Sequence, residues 1–381
     1  MISKKLSAIA AGLTLSLTLA ACSGGGAGSG SNEGSNGGAT GDGEQKTVGV
    51  AMPTQTSERW IADGDAVKKG LEEAGYKVEL QFAGDDIPKQ QQQIDQMVAQ
   101  GVDALIIASI DGTALSTQLD AAGAANIPVI AYDRLINGNE NVDFYVTFDN
   151  YSVGVQQATA LLRGLGLVDA DGKETGEKGP FNIELFAGSP DDNNATFFFN
   201  GAVDTLKPFI DAGTLKVASG QTEFGQVAIQ RWSQDEAQKR MDNLLASTYQ
   251  SEKVHGVLSP FDGISRGIIT ALRGVGYADN AMPVITGQDA EIASVKLIND
   301  GIQSSTIFKD TRKLAAQSVL AATDYLNGKE PEANDTKTYD NGVKVVPSFL
   351  LESDIVFKDD IKPLLIDSGY FTQEQVDKGG N

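Results

Sequence analysis

Both tryptophans of this chain directly follow an arginine: Arg59-Trp60 in "AMPTQTSERWIADG" and Arg231-Trp232 in "QVAIQRWSQDEAQ". An indole is costly to expose, and its flat face can cover the C–H face of a ligand ring. Planar polar groups recur elsewhere in short motifs: Asp133 and Arg134 in "IPVIAYDR", Asp192 and Asn194 in "SPDDNNA", Asp262 in "SPFDG", Asp289 in "TGQDA" and Lys309 in "STIFK". Carboxylates, amides and cations make strong, directional hydrogen bonds to hydroxyl groups, which both donate and accept. Such groups beside two aromatic planes fit a ring that is polar at its rim and apolar on its faces. Trp60 and Trp232 are therefore expected to stack on opposite faces of one pyranose. Catalysis fits these residues poorly. Glycoside hydrolysis needs two carboxyl groups flanking a bond, whereas Asp191 and Asp192 share one loop, and Arg134 and Lys309 would hold pocket acids ionised. His255, the lone histidine, sits at a strand start in "KVHGVLSP", which reads as structural, and one histidine and one cysteine leave little for a triad or a zinc site. "DADGKETGE" begins like a calcium loop, but Lys173 and Glu174 fall where it needs an oxygen ligand and a glycine, so it reads as a surface turn.

These motifs sit where apolar strands give way to amphipathic helices. "TVGVAM", "KVELQFA", "DALIIAS" and "IPVIAYD" read as strands, separated by helices such as "RWIADGDAVKKGLEEAG", with Ile61, Val67 and Leu71 among its apolar positions, and "IPKQQQQIDQMVAQG", whose glutamines read as a solvated face. The rhythm restarts with "FNIELFAG", "LKVASGQ", "VHGVLSP" and "MPVITGQD". Repeated strand–helix units imply parallel sheets covered on both faces, with ligands beyond the carboxyl ends of the strands. The expected fold class is α/β, with two Rossmann-like doubly wound lobes. Neither a G-x-G-x-x-G nor a G-x-x-x-x-G-K-[ST] run is present, so no nucleotide cofactor is expected.

The 381 residues carry 51 acidic against 30 basic side chains, a formal charge of −21, which argues against a nucleic-acid partner. At the N-terminus, Lys4 and Lys5 precede an apolar run from Leu6 to Ala21, too short for a stable membrane span, which reads as a signal peptide over residues 1–21. Leu19-Ala20-Ala21-Cys22 resembles a bacterial lipobox, in which the cysteine sulfur is lipidated. Loss of 1–21 takes the charge to −23. Residues 22–45, rich in Gly, Ser and Asn, read as a lipid-anchored flexible tether at the outer face of a membrane.

Longer stretches, among them "TFDNYSVGVQQA", "FNIELFAGSPDDNNA", "QRWSQDEAQKRMDNLL", "STIFKDTR" and "NDTKTYDNGVKVVPSFLL", resemble the substrate-binding proteins of ABC-type pentose and hexose importers, the type 1 periplasmic binding proteins. The likeness runs from about Val48 to Tyr370 and is stronger to the multiple-sugar branch than to the xylose-binding one, whose members carry an asparagine where this chain has Phe261. The resemblance implies a non-enzymatic monomer that closes on a monosaccharide (xylose, glucose, galactose or arabinose) and delivers it to a membrane permease, or else presents it to a sensor. It implies sugar contacts from Arg59, Trp60, Asp133, Arg134, Asp192, Asn194, Trp232, Asp262, Asp289 and Lys309. It also implies a first lobe of 46–148 plus 291–345 and a second of 149–290 plus 346–381, joined by a three-segment hinge near "TFDN", "GQDAE" and "VVPSF".

Overall fold

The structure, a computed structural model, describes residues 45–380; the leader, Cys22 and all but the last residue of the tether lie outside the described residues. The first half is built on a sheet of six parallel strands: β1 (Thr47–Met52), β2 (Lys77–Phe82), β3 (Ala104–Ile107), β4 (Val129–Tyr132), β5 (Phe144–Phe148) and, from far along the chain, β11 (Ser348–Leu351), in the order β11-β5-β4-β3-β1-β2. The second half holds β6 (Phe181–Leu185), β7 (Leu215–Val217), β8 (Gly256–Leu258) and β9 (Val284–Ile285), parallel in the order β7-β6-β8-β9. A short antiparallel pair, β10 (Thr306–Phe308) with β12 (Asp354–Val356), completes the strands. Within each large sheet the order reverses about its first strand, which opens a crevice at the carboxyl ends.

Helices α1 (Glu58–Glu73), α2 (Ile87–Gln100), α3 (Ser116–Ala124) and α10 (Thr311–Leu326) cover the first sheet. Helices α4 (Asn150–Gly164), α5 (Asn193–Asp211), α6 (Phe224–Val227), α7 (Gln234–Ser247), α8 (Asp262–Gly274), α9 (Ile292–Asn299) and α11 (Gln373–Lys378) belong with the second half. The buried stripe of α1 is Trp60, Gly64, Val67 and Leu71, while Ile61 lies on its exposed side. Helix α2 departs from the solvated glutamine face anticipated for it. Gln90 is buried, donating to the carbonyl of Ala108 at 2.9 Å and accepting from Ile110 N–H at 2.9 Å, and Gln93 donates to Phe82 at 3.1 Å. Backbone groups past the end of a strand lose their ladder partners and must be satisfied some other way; glutamine side chains do this at the exits of β2 and β3.

The division between the halves also differs from the sequence expectation at two of its three crossings. The first falls at Asp149, whose side chain caps α4 by accepting from Ser152 N–H. The second comes at Lys309–Asp310 rather than near 291, because Ile292, Val295 and Ile298 of α9 pack with Phe308, Val356 and Leu365, and neighbouring Leu297 and Ile302 reach the second-half core. The third follows Leu351 rather than 345, since Ser348–Leu351 pairs residue by residue with Tyr145–Phe148 and covers an edge of β5 that would otherwise stay open. A hydrogen bond from Asp149 N–H to the carbonyl of Leu351 ties the first and third crossings together.

Helices α4 and α5 meet through two glycines. A Cβ at Gly154 would lie 2.0 Å from the carbonyl oxygen of Phe198, and one at Gly201 would lie 2.2 Å from that of Tyr151. Backbone on both sides leaves neither helix room to yield, so Gly201→Val should push them apart. Overpacking of this kind costs about 1–3 kcal/mol, measurable as a loss of unfolding free energy in urea; unchanged stability would show that the helices can separate freely.

Candidate functional site

The strand exits of both halves converge on a cavity of about 400 Å³. The loop after β1 and the start of α1 bring Thr54, Arg59 and Trp60; the exit of β4 brings Asp133 and Arg134; the exit of β6 and the start of α5 bring Asp192, Asn194 and Phe198. The turn before α7 contributes Arg231, Trp232 and Gln234, the β8–α8 junction Phe261, the β9 exit Gln288, Asp289 and Glu291, and the β10 exit Lys309. Nine of the ten residues singled out as sugar contacts thus lie together in the wall.

Asp262 is the exception. Its carboxylate is fully buried behind the wall, accepting from Gln303 Nε2 at 2.8 Å, Glu291 N–H at 2.9 Å and Thr306 Oγ1 at 3.1 Å. It fastens α8 to the segment after β9 and the start of β10, and its neighbours Phe261 and Gly263 face the cavity instead. Burial, with Glu291 adding to it, pushes the Asp262 carboxyl up to about 8.

Arg59 is the centre of the charged wall. Its Nε lies 2.9 Å from Asp63 one turn along α1, one Nη bonds Asp133, and the other is 3.4 Å from Asp289. Lys309 Nζ stands 2.9 Å from Asp289 and 4.0 Å from Asp133, and Arg134 Nε is 3.0 Å from Asp192. Asp63, hydrogen-bonded by the Tyr132 hydroxyl, lies outside the cavity and fixes Arg59 from behind. Burial acts to raise the Asp133 carboxyl, but Arg59, Lys309 and Arg134 outweigh it and hold it below the usual range. Burial works against the charge of Arg59 as well, yet Asp133, Asp289 and Asp63 raise it well above its ordinary value. At Asp63 burial prevails over Arg59 and Tyr132 and the carboxyl is pushed up to about 6. The i, i+4 spacing of Arg59 and Asp63 is a pairing visible in the sequence, yet Asp63 was not among the residues singled out.

Across the whole wall five cations (Arg59, Arg134, Arg231, Arg266 and Lys309) stand against five carboxylates (Asp85, Asp133, Asp192, Asp289 and Glu291). Arg231 lies 3.4 Å from Asp191, and Arg266 lies 2.6 Å from Glu291. The cavity is therefore crowded with charge and close to neutral in sum.

Asn194 spends most of its amide on the protein: Nδ2 donates to the carbonyl of Asp133 at 2.6 Å, and Oδ1 accepts from Asn150 at 3.1 Å and lies 2.8 Å from the Tyr145 oxygen. The Asp133 carbonyl also accepts from Tyr145 and Thr147. Three donors hold that peptide where Asp133 has φ 60°. Left-handed backbone is uncommon for residues with a side chain and clusters at functional sites. Here Asp85, Asp133, Arg231, Trp232 and Asp289 all adopt it and all line the cavity. Trp60 is almost buried, with the guanidinium groups of Arg59 and Arg134 at 4.6 and 5.1 Å from its ring. Trp232 is partly open, meeting Phe198 and Phe261 edge-on.

Asp63→Ala would leave two buried donors, Arg59 Nε and the Tyr132 hydroxyl, without their acceptor. At about 1–3 kcal/mol for each stranded group, unfolding free energy should fall by roughly 3 kcal/mol. A loss below about 1 kcal/mol in urea unfolding would mean that Arg59 is held by its other partners alone.

A family model described as a periplasmic binding protein domain matches residues 48–330. The multiple sugar-binding periplasmic receptor ChvE of Rhizobium radiobacter is 53% identical over 335 residues, covering 87% of this chain and 93% of that protein. The D-xylose-binding periplasmic protein of Escherichia coli K12 is 36% identical over 329 residues, covering 86% and 92%. Among solved structures, an ABC transporter solute binding protein from Clostridium phytofermentans with bound β-D-glucose is 46% identical, with a TM-score of 0.82 over 87% of this chain and 100% of that one. With two doubly wound sheets facing a shared cavity and relatives matched over nearly their whole length, the chain belongs to the periplasmic binding protein family and is a binding protein rather than an enzyme.

Proposed function

We propose that this protein captures a neutral monosaccharide in the cavity between its halves and delivers it to an ABC-type importer. The observation that carries this reading is the charge balance of the wall. Cations and carboxylates already answer one another there, so an anionic or cationic ligand would upset an arrangement that burial makes costly to unbalance. A hydroxyl can accept from a guanidinium and donate to a carboxylate at once, and a ring of hydroxyls can bridge such pairs without adding charge. A cavity of about 400 Å³ lies at the lower end of the roughly 300–1,000 Å³ common for small-molecule sites, which suits a single ring. The 46% identical relative solved with β-D-glucose supports the same class of ligand.

On this reading Arg59, Asp133, Arg134 and Trp60 receive the sugar on the first half, and Asp192, Asn194, Asp289, Lys309 and Trp232 meet it from the second as the halves close about the three crossings. Trp60 and Trp232 cover opposite faces of the pyranose, and the protein works as a monomer. A lipid on Cys22, with residues 22–45 as a leash, holds it at the outer face of the cell membrane, beside its permease.

Two experiments test this. A monosaccharide panel read by thermal shift should show stabilisation by at least one of D-glucose, D-galactose, D-xylose and L-arabinose, since a ligand that binds only the folded state raises its apparent stability. Calorimetric titration with the best of them should show Asp289→Ala and Arg134→Ala weakened about tenfold or more, because each leaves a charged partner stranded. A panel with no response, or variants that bind as the parent does, would remove the proposal. Separately, Cys22→Ser should release the protein from membranes while leaving its sugar affinity intact; retention on membranes after a high-salt wash would dismiss the anchor.

A further inference from the structure

We propose that Gly188 is a positioning residue for the ligand: its missing side chain is the shelf on which the Trp232 ring lies, so the open face of the indole reaches the cavity only because residue 188 is glycine. This rests on the sugar-binding reading above, and it adds a residue that is not among the ten contacts expected from the sequence.

The geometry is specific. A Cβ built on Gly188 would lie 2.0 Å from Cη2 of Trp232 and 2.4 Å from both Cζ2 and Cζ3. Near-equal distances to both neighbours, scarcely longer than that to Cη2, put the point above the ring plane rather than beyond its rim. The backbone at Gly188 thus covers one face of the indole. Phe198 and Phe261 meet the ring edge-on, at centroid separations of 6.3 and 6.0 Å and interplanar angles of 64° and 80°. Trp232 also lines the cavity, and its buried Nε1–H has no acceptor among the described residues. The face away from Gly188 is what the ring has left to offer a ligand.

The chain accepts strain to keep the ring there. Arg231 and Trp232 have φ of 58° and 55°, two successive left-handed residues of which the second is bulky. The turn is bonded to the shelf itself: Ile229 N–H donates to the carbonyls of Ala187 and Gly188 at 3.1 and 3.3 Å, Arg231 N–H donates to Ser189 Oγ at 2.7 Å, and Ala187 bridges Ala228. Shelf and ring form one unit. Gly188 itself is not in the left-handed region, and the nearest atoms to its absent Cβ are all in the indole. Its main chain would accept alanine, and the burden of the added methyl would fall on Trp232.

The test is Gly188→Ala, alone and combined with Trp232→Ala, titrated with D-glucose, D-galactose and D-xylose. Gly188→Ala should weaken the best sugar about tenfold or more, and should cost nothing further once Trp232 is already alanine, since two residues acting through one contact are not additive. A ligand-free measurement stands beside it: in a Trp60→Phe background, where Trp232 is the sole indole, Gly188→Ala should shift the emission maximum. Unchanged affinity, additive losses in the double variant, or unshifted emission would each overturn the proposal. Should Gly188→Ala not fold, the double variant should regain the melting transition, because the clash leaves with the ring; a double variant that also fails to fold would place the role of Gly188 elsewhere. Parent protein that binds neither these three sugars nor L-arabinose would defeat the functional reading, and the emission shift would still decide whether Gly188 places the indole.

Discussion

A guanidinium removed from water must be surrounded by counter-charge, and Arg59 meets that requirement with carboxylates drawn from three places in the chain: Asp63 on its own helix, Asp133 from a neighbouring strand exit and Asp289 from the other half. Lys309 then shares Asp289 and reaches toward Asp133. No member can be moved without stranding another, so the exits of β4, β9 and β10 and the start of α1 are bound to one arrangement. The halves touch through opposite charges, and the cost of burying those charges is met only when the halves are together.

Around this network the backbone is bent into conformations that most side chains avoid, and each bend has identifiable supports. Three donors converge on the Asp133 carbonyl, and the Arg231–Trp232 turn is bonded to residues 187–189. Buried glutamines on α2 close the exits of β2 and β3, and one of them brackets Ser109, whose carbonyl in turn accepts from Arg134 at 3.2 Å. The wall thus has polar supports in addition to the apolar cores beneath the sheets.

Strand and helix periodicity showed the α/β class, because parallel strands buried on both faces are continuous apolar runs. Most of the cavity could also be read from sequence, since strand exits are where such folds place ligands: Asp133, Arg134 and Lys309 stand directly after strands, and Asp289 follows β9 by a short loop. Asp262 also follows a strand, but whether a carboxylate at such an exit turns outward or inward depends on donors far along the chain, here Gln303 and Thr306. Gln90 looked solvated for the same reason: its partners at 108 and 110 come from another element. The third crossing was misplaced because a four-residue apolar strand such as Ser348–Leu351 carries no mark of which sheet it will join, and the second because the packing of α9 depends on residues far along the chain. Gly188 lies in a quoted stretch, but its role could not be read there, since a glycine required by a ring forty-four residues away looks like any loop glycine.

The position of β11 bears on when the protein can fold. The outer edge of β5 stays bare until residues 348–351 have been made, and β10 likewise waits for residues 354–356. During synthesis from the N-terminus, neither half can complete its native strand pairing before nearly the whole chain exists. Long-range pairing of this kind is slow to form. The polypeptide thus leaves the ribosome with the strand pairing of both halves unfinished.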